Sequence, residues 1–231
     1  MRRRSRLTIF GGRFGKRPSL GIIAHMEYIH QFIPAQNPSG RVLLLLHGTG
    51  GDENDMVPMG RDLDPDAALL SLRGNVLENG MPRFFRRLAE GVFDEADVIR
   101  RAHELADFIG TAATQYNFDP TRLTAVGYSN GANVAAAVLL LRPATITSAV
   151  LFRAIVPLTP ESAPNLDGAR VLICSGKRDP IIPLDNAERL TAMLRAAGAD
   201  VSLRVENASH QLMFDEIEAA KKWLREQSSV G

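Results

Sequence analysis

The chain has little of what marks a secreted or membrane-spanning protein. Its 231 residues include a single cysteine, which excludes an intrachain disulfide and is typical of a reducing compartment. No apolar run approaches the ~18 residues that a transmembrane helix needs. We therefore expect a cytoplasmic location and no stable insertion into a membrane.

An excess of positive charge is also missing from most of the chain. Residues 1–25 carry seven bases and no acid, which leaves 20 bases against all 26 acids in the other 206 residues. A nucleic-acid-binding domain would gather lysine and arginine on a folded face. The charge distribution therefore argues against a nucleic-acid partner.

The basic first 25 residues match neither a targeting signal nor a phosphate loop. Bases interrupt the apolar stretch of roughly 7 to 15 residues that a signal peptide requires. The string GGRFGK lacks the first glycine and the final serine or threonine of a phosphate loop. We expect residues 1–25 to form a basic, disordered extension, or to precede a natural start at Met26, and residues 26–231 to form one domain.

The rest of the sequence alternates short apolar runs with helical patterns. Continuous apolar runs predict strands covered on both faces, at 41–47, 67–73, 121–128, 147–154, 169–176 and 201–207. An alternating run predicts an edge strand at 27–35, and apolar spacings predict helices at 95–116, 130–141, 185–197 and 214–227. This order predicts an α/β fold with a mostly parallel, doubly wound sheet. Only about 15 residues join the strands at 147–154 and 169–176, which leaves no room for a cap domain.

One serine stands where a predicted strand meets a predicted helix. Ser129 follows the strand at 121–128 and lies between Gly127 and Gly131 in the string GYSNG. A sharp turn at such a junction strains the backbone, and glycines two positions before and after it avoid collisions. The pattern predicts that Ser129 is a displayed nucleophile, with the N-terminus of the following helix directed at it.

A serine hydroxyl needs a base, and in folds of this class the acid and the histidine follow the serine in the chain. His210 is the only histidine after Ser129, and it lies directly after the last predicted strand. Asp179 and Asp185 compete for the acid. Asp185 has an alternative explanation as half of a capping box with Glu188, so we predict that Asp179 orients His210.

Two backbone N–H groups are candidates for an oxyanion hole. One belongs to Asn130, the residue after the predicted nucleophile. The other belongs to Thr49, in the string HGTGG after the strand at 41–47, where glycines let the backbone turn tightly. We predict that both groups donate to the oxygen that gains charge during acyl transfer.

Taken together, these strings resemble the phospholipase/carboxylesterase family of α/β-hydrolases, relatives of the acyl-protein thioesterases and dienelactone hydrolases. LLLHGTGGDENDM, GYSNGAN, SGKRDPIIP and ENASHQL are similar to the family's oxyanion loop, nucleophile elbow, acid loop and histidine loop. NGMPRFFRR resembles a segment that borders its active site. The resemblance covers about residues 27–228 and implies a catalytic triad of Ser129, Asp179 and His210. The chain departs from the family in its basic extension and in having Asn130 where many relatives have glutamine.

The activity that the resemblance implies is hydrolysis of short- to medium-chain acyl esters through an acyl-serine intermediate, without a metal or other cofactor. A thioesterase or a lactone hydrolase on the same triad is the alternative. A non-catalytic small-molecule binding protein on the same fold is a second alternative. The expected partner is a small acyl ester, and a homodimer, common among relatives, stays open.

Loop positions predict which side chains wall the substrate pocket. They are Met56, Phe84, Phe85, Val156, Ile181 and Ile182. Arginines at positions 83, 86 and 87 either steer an anionic substrate or form a solvated basic loop, and the sequence leaves both interpretations open.

Overall fold

The computed structural model describes residues 28–36 and 40–228. The expected extension at 1–25 and the alternative start at Met26 lie outside the described residues. The strands of the described part are β1 (His30–Ile33), β2 (Val42–Leu46), β3 (Ala68–Leu72), β4 (Val76–Glu78), β5 (Met81–Arg83), β6 (Arg87–Ala89), β7 (Val92–Phe93), β8 (Leu123–Tyr128), β9 (Ser148–Phe152), β10 (Arg170–Gly176) and β11 (Asp200–Glu206). The α-helices are α1 (Val57–Leu63), α2 (Glu95–Tyr116), α3 (Asn130–Leu141), α4 (Leu184–Ala196) and α5 (Phe214–Ser228).

Seven strands form one sheet in the order β1-β3-β2-β8-β9-β10-β11. All neighbouring pairs are parallel except the β1–β3 pair, which is antiparallel and lies at the edge. The predicted α/β fold with a mostly parallel sheet is therefore confirmed. The four predicted helices begin and end within one residue of their expected limits, whereas the edge strand is only four residues long.

Helices cover both faces of the sheet because its central strands are apolar on both sides. Leu44 and Leu46 of β2 pack in the core cluster that contains residues of α2, α3 and α4. Leu43 and Leu45 point to the other face and join the cluster that contains residues of α1 and α5. A side-chain period of two places neighbouring leucines on opposite faces, so one short run of leucines supplies both cores.

Two small hairpins between β3 and α2 were not predicted from the sequence. β4 pairs with β5, and β6 pairs with β7, each in an antiparallel two-stranded sheet. Asn79 and Gly80 join β4 to β5, and both have positive φ angles, 51° and 81°. An Asn-Gly pair with this conformation is the strongest short signal for a tight hairpin turn, but strands of two or three residues give no readable periodicity.

The parallel strands deliver their following loops to one edge of the sheet. The loops after β2, β8, β10 and β11 contain the residues proposed above as oxyanion donors, nucleophile, acid and base, and this is the edge where ligands bind in such sheets. Between β9 and β10 the chain forms no helix or strand. Across residues 28–36 and 40–228, none of the helices has the length and apolar character required to cross a bilayer.

Candidate active site

Ser129 occupies a strained turn between β8 and α3. Its φ and ψ angles are 51° and −112°, a region that residues with a side chain rarely adopt. Two backbone hydrogen bonds hold it there, since its N–H donates to the Phe152 carbonyl at 2.9 Å and its carbonyl accepts from the Asn133 N–H at 3.0 Å. These two bonds tie the turn to the end of β9 and to the first turn of α3.

Glycine is required on both sides of this serine because backbone passes very close. A Cβ atom at position 131 would lie 2.0 Å from the Leu46 carbonyl oxygen and 2.6 Å from that of His47. A Cβ atom at position 127 would lie 2.6 Å from the Cα atom of Ala132. Neither group can move without shifting a strand or a helix, so the sharp turn needs both glycines.

His210 and Asp179 meet Ser129 in series. The Nε2 atom of His210 lies 3.2 Å from Oγ of Ser129, and its Nδ1 atom lies 2.8 Å from Oδ2 of Asp179. The other carboxylate oxygen of Asp179 accepts from the N–H groups of Ile181 and Ile182 at 2.8 and 3.0 Å. These bonds fix the carboxylate in a fully buried position, while the His210 side chain stays 20% exposed.

Asp185, the competing acid, does not contact His210. It lies in the first turn of α4, which begins at Leu184 after Pro183. The predicted capping box with Glu188 is not formed, because Pro183 occupies the N-cap position and the cap makes no side-chain hydrogen bond. The structure thus brings Asp179, and not Asp185, to the imidazole.

Tyr128, which the sequence analysis did not single out, supports the histidine. Its hydroxyl donates to the His210 carbonyl oxygen at 3.0 Å, and the two rings lie 5.4 Å apart. Burial raises the pKa of Tyr128, so the hydroxyl keeps its proton and remains a donor. Its position next to Ser129 could have indicated a role at the site, but only the fold brings it to residue 210.

The loop after β2 is fastened by His47. The Nε2 atom of this buried ring accepts from the Gly74 N–H at 2.9 Å, and its Nδ1 atom lies 2.6 Å from the Gly48 carbonyl oxygen. Burial lowers the pKa of His47, so the ring is neutral and its single proton lies on Nδ1, toward Gly48. The ring therefore accepts one bond and donates the other.

The predicted oxyanion donors lie on either side of Ser129. Asn130 is the first residue of α3, so its N–H has no acceptor within the helix. Thr49 lines the same cavity, and no backbone acceptor for its N–H is found within the described residues. Both amides are therefore available to a bound substrate.

Residues 82–84 fix the two oxyanion loops relative to each other. The Gly50 N–H donates to the Pro82 carbonyl at 2.9 Å, and the Arg83 guanidinium donates to Oγ1 of Thr49 at 2.5 Å. The Phe84 N–H donates to Oδ1 of Asn130 at 2.7 Å. One extended segment thus ties the loop after β2 to the start of α3.

The cavity beside Ser129 has a volume of about 50 Å³. It is lined by Thr49, Arg83, Arg87, Glu90, Gly91, Phe93, Ser129, Asn130, Asn133, Ile155, Ile181 and Ile182. Ile181 and Ile182 therefore line the cavity, as the sequence predicted. A larger cavity of about 760 Å³ lies at the opposite ends of the strands, against Leu123, Ser148 and Arg170, and is remote from the serine.

Four of the residues expected to wall the pocket do not line this cavity. Phe84 and Phe85 are fully buried in the core, where Phe84 packs on His47 and the ring of Phe85 meets Phe93 edge to face. Met56 belongs to the core on the α1 and α5 side of the sheet, and Val156 borders a neighbouring groove. The expectation followed loop position alone, whereas the burial of apolar area turns Met56, Phe84 and Phe85 inward.

The three arginines of the same segment are all paired with acids. Arg83 and Arg87 line the cavity, and both form ion pairs with Glu78, at 3.1 and 2.8 Å. Arg86 is largely exposed and pairs with Asp94 at 2.7 Å.

In the described part of the chain, no three His, Cys, Asp or Glu side chains are grouped as metal ligands.

A serine on a strand-to-helix elbow, followed in the chain by an acid and a histidine at the same edge of a mostly parallel sheet, is the arrangement of the α/β-hydrolase fold. Residues 28–228 match the family model described as Phospholipase/Carboxylesterase. The chain therefore belongs to the phospholipase/carboxylesterase family, and it is an ester-hydrolysing enzyme by that membership.

Individual relatives agree with this assignment. The chain is 46% identical over 201 residues to the putative hydrolase MhqD of Bacillus subtilis (strain 168), covering 87% of this chain and 98% of that protein. The structure of the Bacillus cereus carboxylesterase is similar with a TM-score of 0.83 at 48% identity, covering 85% and 93% of the two chains. YahD, solved with malic acid, is similar with a TM-score of 0.81 at 30% identity, covering 87% and 99%.

The close approach at Gly131 predicts a stability effect. Gly131→Ala should lower the free energy of unfolding by about 1–3 kcal/mol, because the added methyl group collides with strand carbonyls. Urea denaturation measures it. Gly110→Ala is the matched control, because a Cβ atom there meets nothing within 4 Å. Alanine favours a helix over glycine, so this variant should raise the free energy of unfolding by up to about 1 kcal/mol. Equal stability of Gly131→Ala and the wild type would contradict the packing described here.

Proposed function

We propose that the chain is a serine carboxylic-ester hydrolase that acts on short-chain acyl esters through Ser129, His210 and Asp179. The observation that carries this proposal is the continuous series of contacts from Asp179 through His210 to Ser129, at 2.8 and 3.2 Å. An acid, a base and a nucleophile in this order are what nucleophilic acyl transfer requires.

The geometry assigns each group a part in the first step. Because Asp179 accepts from the Nδ1–H of His210, the unprotonated Nε2 atom faces Oγ of Ser129. As Oγ attacks the ester carbonyl carbon, Nε2 takes the hydroxyl proton and the carbonyl π electrons move onto the oxygen. Asp179 stabilises the imidazolium that forms, and the N–H groups of Thr49 and Asn130 stabilise the oxyanion.

Collapse of this tetrahedral intermediate completes the transfer. The C–O bond to the leaving group breaks, and the imidazolium returns its proton to the departing alkoxide, which leaves an acyl-serine. Water then attacks the acyl carbon while His210 takes its proton, and Oγ of Ser129 leaves with that proton. The products are a carboxylic acid and an alcohol.

The size and lining of the cavity support a short acyl group. At about 50 Å³ the cavity is far smaller than the roughly 300 Å³ at which pockets for drug-sized ligands begin. Ile155 and Ile182 are almost fully buried and give the cavity two apolar walls. These features favour the short end of the short- to medium-chain range expected from the sequence.

Other readings of the same site follow from its chemistry. A thioester or a lactone presents the same carbonyl to Ser129, so thioesterase or lactone hydrolase activity is the alternative. A binding protein without catalysis is a second alternative, which the aligned triad disfavours. The cytoplasmic location and the absence of a nucleic-acid partner and of stable membrane insertion stay predictions, and the question of a homodimer stays open.

The central test is Ser129→Ala against a panel of p-nitrophenyl esters, acyl-CoA thioesters and lactones. We expect kcat/KM for the preferred ester to fall by at least ~10³-fold, because no other group can form the acyl intermediate. A fluorophosphonate probe should label the wild type and not the variant. Ser202→Ala, at an exposed position of β11, is the matched control and should retain full activity and labelling. An unlabelled but folded wild type would favour the binding-protein alternative.

The cavity walls predict a chain-length preference that can be moved. The wild type should hydrolyse p-nitrophenyl acetate and butyrate faster than the octanoate. Ile155→Ala should raise the octanoate-to-acetate ratio of kcat/KM roughly tenfold, because it opens space for additional methylenes. Ile29→Ala, at an exposed position before β1, should leave the ratio unchanged. A ratio unaffected by Ile155→Ala would mean that the acyl group lies elsewhere.

A further inference from the structure

Arg153 is a buried charged residue that the mechanism above does not use. It directly follows β9, its exposure is 0%, and its φ angle of 57° is positive. Its N–H donates to the Cys174 carbonyl oxygen at 2.9 Å, so the backbone turns while still bonded to β10. A non-glycine residue in this conformation with a buried charge needs strong local compensation.

The guanidinium of Arg153 donates hydrogen bonds to the loop that carries His210. Its Nε atom donates to the Ser209 carbonyl at 3.0 Å, and a terminal nitrogen donates to the Gln211 carbonyl at 2.8 Å. These are the carbonyls on either side of the histidine. The other terminal nitrogen lies 3.3 Å from the Cys174 carbonyl. The histidine loop is therefore tied to the end of β10 through one side chain.

Glu216 of α5 completes this arrangement. Its two carboxylate oxygens accept from the Arg153 guanidinium at 2.6 and 2.8 Å, and its side chain is also fully buried. One of the same oxygens accepts from the Met213 N–H at 2.8 Å, which fixes the chain just after His210. Removing both ions from water costs about as much as their attraction returns, so net stability is a weak reason for such a pair.

The same guanidinium lies behind the acid of the triad. Its Nε atom is 3.8 Å from Oδ2 of Asp179, the oxygen that holds His210. One buried cation thus faces two buried carboxylates, those of Asp179 and Glu216. Tyr128 and Cys174 also lie close by, and Arg204 and Glu206 act on Cys174 from β11. Burial raises the pKa of Cys174 to about 12, so its thiol stays neutral.

We propose that Arg153, held by Glu216, is a positioning residue that fixes the histidine loop and balances the charge of Asp179, and so keeps His210 aligned between Asp179 and Ser129. This proposal rests on the proposed function for its effect on rate. It does not require Arg153 to touch the substrate, since Arg153 is absent from the lining of the cavity beside Ser129.

The first test removes Arg153 and Glu216 together, so that neither is left as a buried charge without its partner. Arg153→Met combined with Glu216→Gln should lower kcat at the pH plateau by about 10²-fold, because a misplaced base is that costly to catalysis. KM should change less than threefold. The partly exposed pair of Arg204 and Glu206, 2.6 Å apart on β11, is the matched control, and Arg204→Met with Glu206→Gln should leave both constants unchanged. A folded Arg153 and Glu216 double variant with wild-type kcat would overturn the proposal.

The second test separates charge from loop position. Glu216→Gln leaves Arg153 charged at every accessible pH but less compensated, which disfavours the imidazolium form of His210. The acid limb of the kcat/KM profile should therefore move to lower pH, whereas the double variant should keep the wild-type limb. Arg153→Lys retains the charge but not the fork of donors, so it should keep the limb and recover only part of kcat. An unmoved limb in Glu216→Gln would contradict the electrostatic part of the proposal.

A spectroscopic measurement keeps this proposal distinct from the proposed function. The proton on Nδ1 of His210, bonded to Asp179, should give a downfield NMR signal in the wild type. The signal should be lost or broadened in the double variant and retained in the Arg204 and Glu206 control. The outcome does not depend on turnover, so a wild type that is inactive and unlabelled would refute the esterase activity while the NMR comparison still decides the role of Arg153. A sharp, unshifted signal in the double variant would count against that role.

Discussion

The close contact between the start of α3 and the end of β2 is the constraint on which the site depends. Gly131 lies against the carbonyls of Leu46 and His47 with no room for a methyl group. This contact forces the sharp turn that gives Ser129 its positive φ angle, and it brings the first N–H of α3 next to the loop after β2. The positions of the proposed nucleophile and of both proposed oxyanion donors therefore follow from one packing contact between a strand and a helix.

Around this contact, the loops are held by polar bonds whose partners lie far apart in the chain. His47 fastens the loop after β2, residues 82–84 connect that loop to α3, and Arg153 connects the histidine loop to β10 and α5. The sheet supplies the common edge, but its strands alone would not fix the side chains to within hydrogen-bonding distance. Buried hydrogen bonds of this kind help to specify one arrangement of the loops.

Much of this could be predicted from the sequence, because the signals are local. Continuous apolar runs identified the strands of the main sheet. Ser129, Asp179 and His210 each follow one of these strands, which indicated that they would meet. The two hairpins were not predicted because their strands are too short to show a periodicity, although Asn79 and Gly80 are a turn signal. The sequence could not show which way Phe84 and Phe85 point, since neighbouring residues in an irregular segment do not reveal their faces. Arg153 and Glu216 are 63 positions apart, so no local sequence pattern predicts the ion pair that they form in the folded chain.

The hairpins and the main sheet contribute different parts of the site. β4–β5 and β6–β7 are separate two-stranded sheets attached to the main sheet, and their residues Arg83, Arg87 and Phe93 form one side of the cavity. Ser129, Asp179 and His210, in contrast, follow strands β8, β10 and β11 of the seven-stranded sheet. Short antiparallel pairs are among the parts of a protein that open at the lowest free energy. Local opening of the β4–β5 hairpin would therefore release the loops of Thr49 and Asn130, which residues 82–84 hold, before it disturbed the contacts among Ser129, His210 and Asp179.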